Sequence, residues 1–147
     1  MIRRPPRSTL DRSSAASDVY KRQEHEMHEE CYNISEKAAD TINKSIVAGS
    51  RIWAIGTTVA RTLESAVDDR GYVRPGSGRT DLFIRPPFDF RVVDCLVTNF
   101  HLPRSTLLML VAAFAGYENM MEAYQEAISS GYRFYSYGDA MAIVDCL

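Results

Sequence analysis

The chain has 147 residues, 46% of them hydrophobic and 24% charged, with 17 Lys and Arg against 19 Asp and Glu. Those proportions fit one soluble globular domain and exclude collagenous, disulfide-stapled and wholly disordered classes. The longest unbroken apolar run, Leu107 to Ala115, is nine residues, about half of the ~20 that a membrane-crossing helix needs.

The charge is unevenly spread. Residues 1–23 hold six basic and two acidic groups, which leaves 11 basic and 17 acidic groups in residues 24–147. The body is therefore acidic and lacks the broad positive field of a self-sufficient nucleic-acid binder. Residues 1–23 show no helical or strand period, and Pro5-Pro6 interrupts regular structure. They hold no apolar stretch for a secretory signal, and Asp11 and Asp18 spoil a presequence pattern. The segment resembles an in-frame translation of sequencing-adapter DNA. It is expected to be disordered and non-native, and residues 24–147 carry the fold. Cys31, Cys95 and Cys146 form no CxxC pair, so reduced thiols in a cytoplasmic protein are expected.

Along residues 24–147, Glu24 to Glu30 is polar. Asn33 to Ala48 then has apolar residues at helical spacing, capped by Asn33 or Ser35 and stopped by Gly49. Arg51 to Gly56 is a short apolar run, expected to be a buried strand. Thr57 and Thr58 can cap a second helix through Val67. Asp68 to Arg79 reads as loop, Asp81 to Arg85 as a strand closed by Pro86-Pro87, and Phe90 to Thr98 as strand. Ser105 caps a helix from Thr106 to Ala115 that is apolar on every side, a pattern of interior helices. Tyr117 to Ser130 is a further helix ended by Gly131, and Tyr132 to Val144 is aromatic and extended. The alternating order predicts an α/β layered domain with an incomplete sheet, whose apolar helix needs covering by absent sequence or another chain.

Several stretches carry candidate chemistry. His25, Glu26 and His28 lack the i, i+4 spacing of zincins, so no metal is expected and a substrate-contacting or solvated segment is the better reading. Gly56-Thr57-Thr58 joins a strand to a helix, where free backbone N–H groups meet anions; an ordinary N-cap is the competing reading. Arg61 and Glu64 are neighbours on that helix, by default a surface pair, otherwise aimed at the same ligand. Gly76 to Thr80 (GSGRT) lacks the ending of a phosphate loop and reads as a flexible turn. Asn99, His101 and Arg104 lie between an apolar strand and an apolar helix, where loops carry function: Asn reads amide edges, His moves protons and Arg holds anions. Tyr137 and Asp139 flank Gly138 in an aromatic stretch suited either to stacking on a base or to core packing.

Together, EHEMHEE, GSRIWAIGTTVARTLES, RTDLFI, VVDCLVTNFHLPRSTLLMLVAAFAG and YSYGDAM resemble the C-terminal part of the S-adenosylmethionine:tRNA ribosyltransferase-isomerases of queuosine biosynthesis. The resemblance implies the C-terminal part of that family's α/β domain. It also implies S-adenosylmethionine as ribosyl-donor substrate and tRNA carrying 7-aminomethyl-7-deazaguanine as acceptor, giving epoxyqueuosine-tRNA, adenine and methionine. The sulfonium acidifies the 5′ carbon, so such a site needs a base, a proton donor for adenine and contacts to the methionine carboxylate. On this reading Thr57, Thr58 and Arg61 bind the anionic or ribose portion. His101 moves protons, Asn99 and Arg104 orient substrate, and His28, Glu29, Tyr137 and Asp139 line the pocket. A truncated chain would be inactive alone, and much of the tRNA grip would lie in the missing N-terminal part. The competing reading is a non-catalytic stand-alone fragment or broken gene product with at most ligand- or tRNA-binding ability.

Overall fold

The computed structural model describes residues 29–144. Among these residues, the strands of two small sheets are interleaved with four helices. β1 (Glu30–Ile34) leads into α1 (Glu36–Val47), β2 (Trp53–Ile55) into α2 (Thr57–Ala66), and β3 (Gly76–Thr80) follows. β4 (Cys95–Asn99) leads into α3 (Thr106–Ala115), then α4 (Tyr117–Ser129) and β5 (Ala140–Val144). β1 and β3 form an antiparallel ribbon. β2, β4 and β5 form a three-stranded sheet in that spatial order, β4 parallel to β2 and antiparallel to β5. This is the α/β architecture with an incomplete sheet that the element order predicts.

The first helix is shorter than the apolar period suggests. Asn33 and Ile34 belong to β1, whose Glu30, Tyr32 and Ile34 turn inward while Cys31 and Asn33 are exposed. Ser35 is the N-cap, accepting from the Ala38 N–H at 3.2 Å, and Gly49 supplies the left-handed stop at φ 69°. The ribbon also takes in GSGRT, read as a flexible turn within a loop. Tyr32 pairs with Gly78, and a β-carbon on Gly78 would lie 2.6 Å from the Tyr32 ring. The tyrosine covers the glycine and turns a weak sequence into a strand. Gly78→Val should therefore displace that ring and lower stability by about 1–3 kcal/mol in urea denaturation; an unchanged midpoint would show that the ring moves freely.

Asp81 to Arg85, expected as a strand, is irregular. At Leu82 side chains take the backbone groups instead: the N–H donates to Thr80 Oγ1 at 3.1 Å, and the carbonyl accepts from Arg61 Nε at 2.9 Å. Ile84 still enters the core. β2 is only half the buried strand expected, since Ala54 is buried but Trp53 and Ile55, on the opposite face, are exposed. The extended stretch after Gly131 is regular only from Ala140, and the strand expected from Phe90 begins at Cys95.

One core joins Ala54, Ala60, Leu63, Val73, Ile84 and Leu96, between α2 and the sheets. A second joins Phe100, Val111, Met120 and Tyr124 beneath α3 and α4. Only Leu110, Val111 and Ala112 of α3 are buried. The remaining apolar residues of that helix are half-covered, as expected of an interior helix in a sparse fold. Cys31 is exposed and Cys95 buried, both free thiols; Cys146 lies outside the described residues. No helix among the described residues is long and apolar enough to cross a membrane.

Candidate active site at the loop end of the sheet

Strand directions bring three loops to one place. β2 and β4 are parallel with Ile55 opposite Val97, so their carboxyl ends lie side by side. β5 runs the other way, with Ala140 opposite Asn99, so the chain entering β5 arrives at the same end. Gly56 to Thr58, Asn99 to Ser105 and residues 131–139 therefore converge at the carboxyl ends of the parallel strands, where open α/β sheets bind ligands.

At the first loop, Gly56 occupies the N-cap at φ 101°, so Thr57 and Thr58 are the first helical residues rather than caps. No side chain caps α2, and its first turn presents backbone N–H groups and the positive end of the helix. Thr57 is buried. Thr58 is exposed and its Oγ1 donates to Glu30 Oε1 at 3.3 Å, bringing the start of β1 to this helix end.

Arg61 and Glu64 are not the surface pair that their spacing suggests. Both are buried and they face different partners. The Arg61 guanidinium pairs with Glu30 at 2.9 Å and donates to the carbonyls of Leu82 and Thr80. Glu64 accepts three backbone N–H groups: Arg91 at 2.9 Å, and Val92 and Val93 at 3.0 Å each. α2 thus brackets the ribbon on one side and the approach to β4 on the other.

At the second loop, Thr98 Oγ1 and His101 Nε2 lie 2.7 Å apart, a hydrogen bond whose direction follows the tautomer. The His101 N–H donates to the Tyr124 hydroxyl at 2.8 Å, fixing the loop to α4. Burial pushes the His101 imidazole below its ordinary pKa of 6.5, which favours the neutral ring at neutral pH. Burial also raises the Tyr124 phenol, although the His101 N–H opposes this. Asn99 Nδ2 donates to the carbonyls of Gly138 and Asp139 at 3.4 and 3.2 Å, joining the second loop to the third. Arg104 is exposed on the same loop, in a left-handed conformation at φ 63°.

At the third loop, Asp139 accepts from the Arg133 N–H at 2.7 Å and its guanidinium at 3.3 Å. Those bonds hold its carboxyl below the ordinary range. Tyr137 is 98% exposed, so it is not a core aromatic. Glu29 forms an exposed ion pair with Arg79 at 2.8 Å, beside the start of β1. His28, like His25 and Glu26, lies outside the described residues.

The register thus brings Thr57, Thr58, Asn99, His101 and Asp139 to one end of the sheet. A cleft of about 1000 Å³ opens elsewhere, among residues that include Arg51, Asp94, Phe114, Met120 and Ile143, and none of the named site residues lines it. Hydrogen-bonding chemistry gathers at the loops. Glu30, Thr98 and Tyr124 were not among the candidates. The Thr98–His101 spacing was a readable signal for Thr98; nothing in the sequence marks Glu30 as the partner of Arg61 or Tyr124 as the partner of a loop N–H.

Similarity to known proteins gives the family. A family model described as a queuosine biosynthesis protein matches residues 12–143. S-adenosylmethionine:tRNA ribosyltransferase-isomerases are 58% identical over 122 residues in Thermus thermophilus and 57% identical over 121 residues in Natranaerobius thermophilus. The matches cover 83% and 82% of this chain and 35% of each relative. The crystal structure of an S-adenosylmethionine tRNA ribosyltransferase from Thermotoga maritima superposes with a TM-score of 0.72 at 53% identity, covering 78% of this chain and 40% of that one. The chain spans about a third of the length of the curated relatives that it matches. It belongs to the queuosine biosynthesis protein family.

Proposed function

We propose that residues 29–144 form the part of a tRNA ribosyltransferase-isomerase that handles S-adenosylmethionine and the reacting groups. Within the complete enzyme, the ribosyl group passes, with isomerisation, to 7-aminomethyl-7-deazaguanine in tRNA, giving epoxyqueuosine-tRNA with release of adenine and methionine. The observation that carries this reading is that an uncapped helix end and a half-buried histidine, hydrogen-bonded to Thr98, both lie at the carboxyl ends of β2 and β4. The donor set fits an anionic, hydroxyl-bearing ligand. First-turn N–H groups and the Thr57 and Thr58 hydroxyls suit a carboxylate or ribose, and Asn99 offers an amide.

In this reading His101 takes or returns a proton, with its ring oriented through Thr98. Asn99 and Arg104 orient substrate, while Glu29, Tyr137 and Asp139 border the site. Arg61 serves the ribose portion through Glu30, whose carboxylate it holds against Thr58 and which can accept from sugar hydroxyls. The acceptor tRNA also meets parts of the protein beyond this chain, in keeping with the acidic body of residues 24–147.

The test is a chimera in which residues 29–144 replace the matching segment of the Thermus thermophilus relative. Adenine release from S-adenosylmethionine should require tRNA bearing the aminomethyl base. A folded chimera that releases none would refute the assignment and favour a non-catalytic binding fragment.

A further inference from the structure

Residues 131–139 form a rigid loop with an unusual outer surface. Its frame is tied by a run of backbone hydrogen bonds: Tyr132 N–H to the Ala127 carbonyl at 2.9 Å, Tyr135 N–H to Phe100 at 2.9 Å, and Gly138 N–H to Tyr135 at 2.8 Å. The Asp139 N–H donates to the Arg133 carbonyl at 2.8 Å, while the Asp139 carboxylate takes the Arg133 N–H and guanidinium. Gly138 packs so closely on the Arg133 and Phe134 carbonyls that no side chain fits there. Tyr135 is held at φ 72°, a conformation that bulky residues adopt only when their surroundings impose it.

The inner face of the loop is ordinary. Phe134 packs with Phe100 and Tyr124, ring centroids 5.2 and 5.9 Å away. The outer face is not. Tyr137 is 98% exposed and Tyr135 54%, whereas Tyr132, 49% exposed, still packs edge-on against Phe100 at 5.8 Å. The only carboxylate of the loop, Asp139, is paired with Arg133, so no unpaired acid on this loop repels a phosphate chain. The loop's base is tied to Asn99, which places this surface at the rim of the candidate site.

A rigid aromatic surface beside a site that acts on one nucleotide suits a base that is not paired. Paired bases expose only edges, whereas splayed bases of single-stranded loops offer whole faces to tyrosine rings. We infer that Tyr137 is a stacking platform for an unpaired nucleobase next to the one that enters the site. This inference rests on the reading of RNA as substrate, and it adds where the flanking nucleotide sits and which side chain receives it.

The experiment titrates the chimera with a short RNA hairpin bearing an unpaired loop, and with a fully paired duplex of the same stem, at several salt concentrations. Tyr137→Ala should weaken hairpin binding about 10-fold, within the range measured for one base–aromatic stack, while duplex binding stays unchanged. Tyr137→Phe should bind like the parent, because the ring and not the hydroxyl makes the contact. Tyr117→Ala, which removes another exposed tyrosine at the start of α4, should have no effect. Tyr137 makes almost no contact with the fold, so the variants test binding rather than folding. Equal hairpin affinity for parent and Tyr137→Ala would overturn the inference. So would a Phe variant as weak as the Ala variant, or a parent with no preference for the hairpin over the duplex. The assay needs no turnover: a chimera that fails to release adenine while Tyr137-dependent binding persists refutes the reaction reading alone.

Discussion

Replacing Glu64 by Ala should cost this fold about 3–5 kcal/mol in chemical denaturation, a large part of the ~5–15 kcal/mol that holds a domain together. Its buried carboxylate accepts the N–H groups of Arg91, Val92 and Val93, in a stretch that runs into β4 without a ladder partner of its own. An N–H left buried and unsatisfied costs ~1–3 kcal/mol, and truncation strands the two buried ones of Val92 and Val93 together, with the part-buried one of Arg91 beside them. Glu64→Gln separates geometry from charge. Its one carbonyl oxygen can serve Val92 and Val93, which share Oε1, but its amide nitrogen would face the Arg91 N–H donor. The Gln variant should therefore lose about 1–3 kcal/mol, less than Ala. An Ala variant within ~1 kcal/mol of the parent would mean that water reaches the three N–H groups and that Glu64 is not the anchor.

Glu64 also shows what one sequence conceals. Its i, i+3 spacing from Arg61 is visible, and on a solvated helix it would mean an ion pair. The surroundings of α2 decide otherwise. Arg61 turns to β1 and the Thr80 and Leu82 carbonyls, whereas Glu64 turns to residues 91–93. The nearest of those partners in the chain, Thr80, is 19 positions from Arg61, and local spacing has no access to it. Helices were legible where the cap or stop and the period agreed, as at Ser35, at Ser105 and in Tyr117–Ser129 before Gly131. Strands were less so. GSGRT becomes a strand because Tyr32 covers Gly78, and DLFIR is not one because Arg61 and Thr80 take over the hydrogen bonds of Leu82.

The site was legible in a different way. TNFHLPRST stands out because polar residues interrupt apolar sequence, and its loop does lie at the carboxyl end of β4. Its neighbours in space were not legible. Only the parallel register of β2 with β4, and the antiparallel return of β5, bring Thr57 and Asp139 to the same end. The support for His101 is similarly non-local: Tyr124, 23 positions away, holds its N–H.

The largest effect on activity is expected at His101. In the chimera, His101→Ala should lower turnover ~10²–10⁴-fold, the range for loss of a general acid or base, with the thermal midpoint nearly unchanged because the ring is only half-buried. His101→Gln tests whether the side chain merely holds Thr98: it can keep a hydrogen bond but cannot exchange a proton near neutrality, so it should be as slow as Ala. The pH dependence is fixed by the direction of the shift. Burial disfavours the imidazolium, so the neutral ring persists below 6.5, its ordinary midpoint. If His101 is the base, the acid limb of kcat/KM should lie below 6.5 and disappear in both variants. Tyr124→Phe, which removes the acceptor of the His101 N–H, should reduce turnover less, by ~10-fold, without removing that limb, because it disturbs where the ring sits and not what it can do. A Gln variant as fast as the parent would show that His101 only orients its neighbours, and the search for the proton-transfer group would move to residues outside this chain.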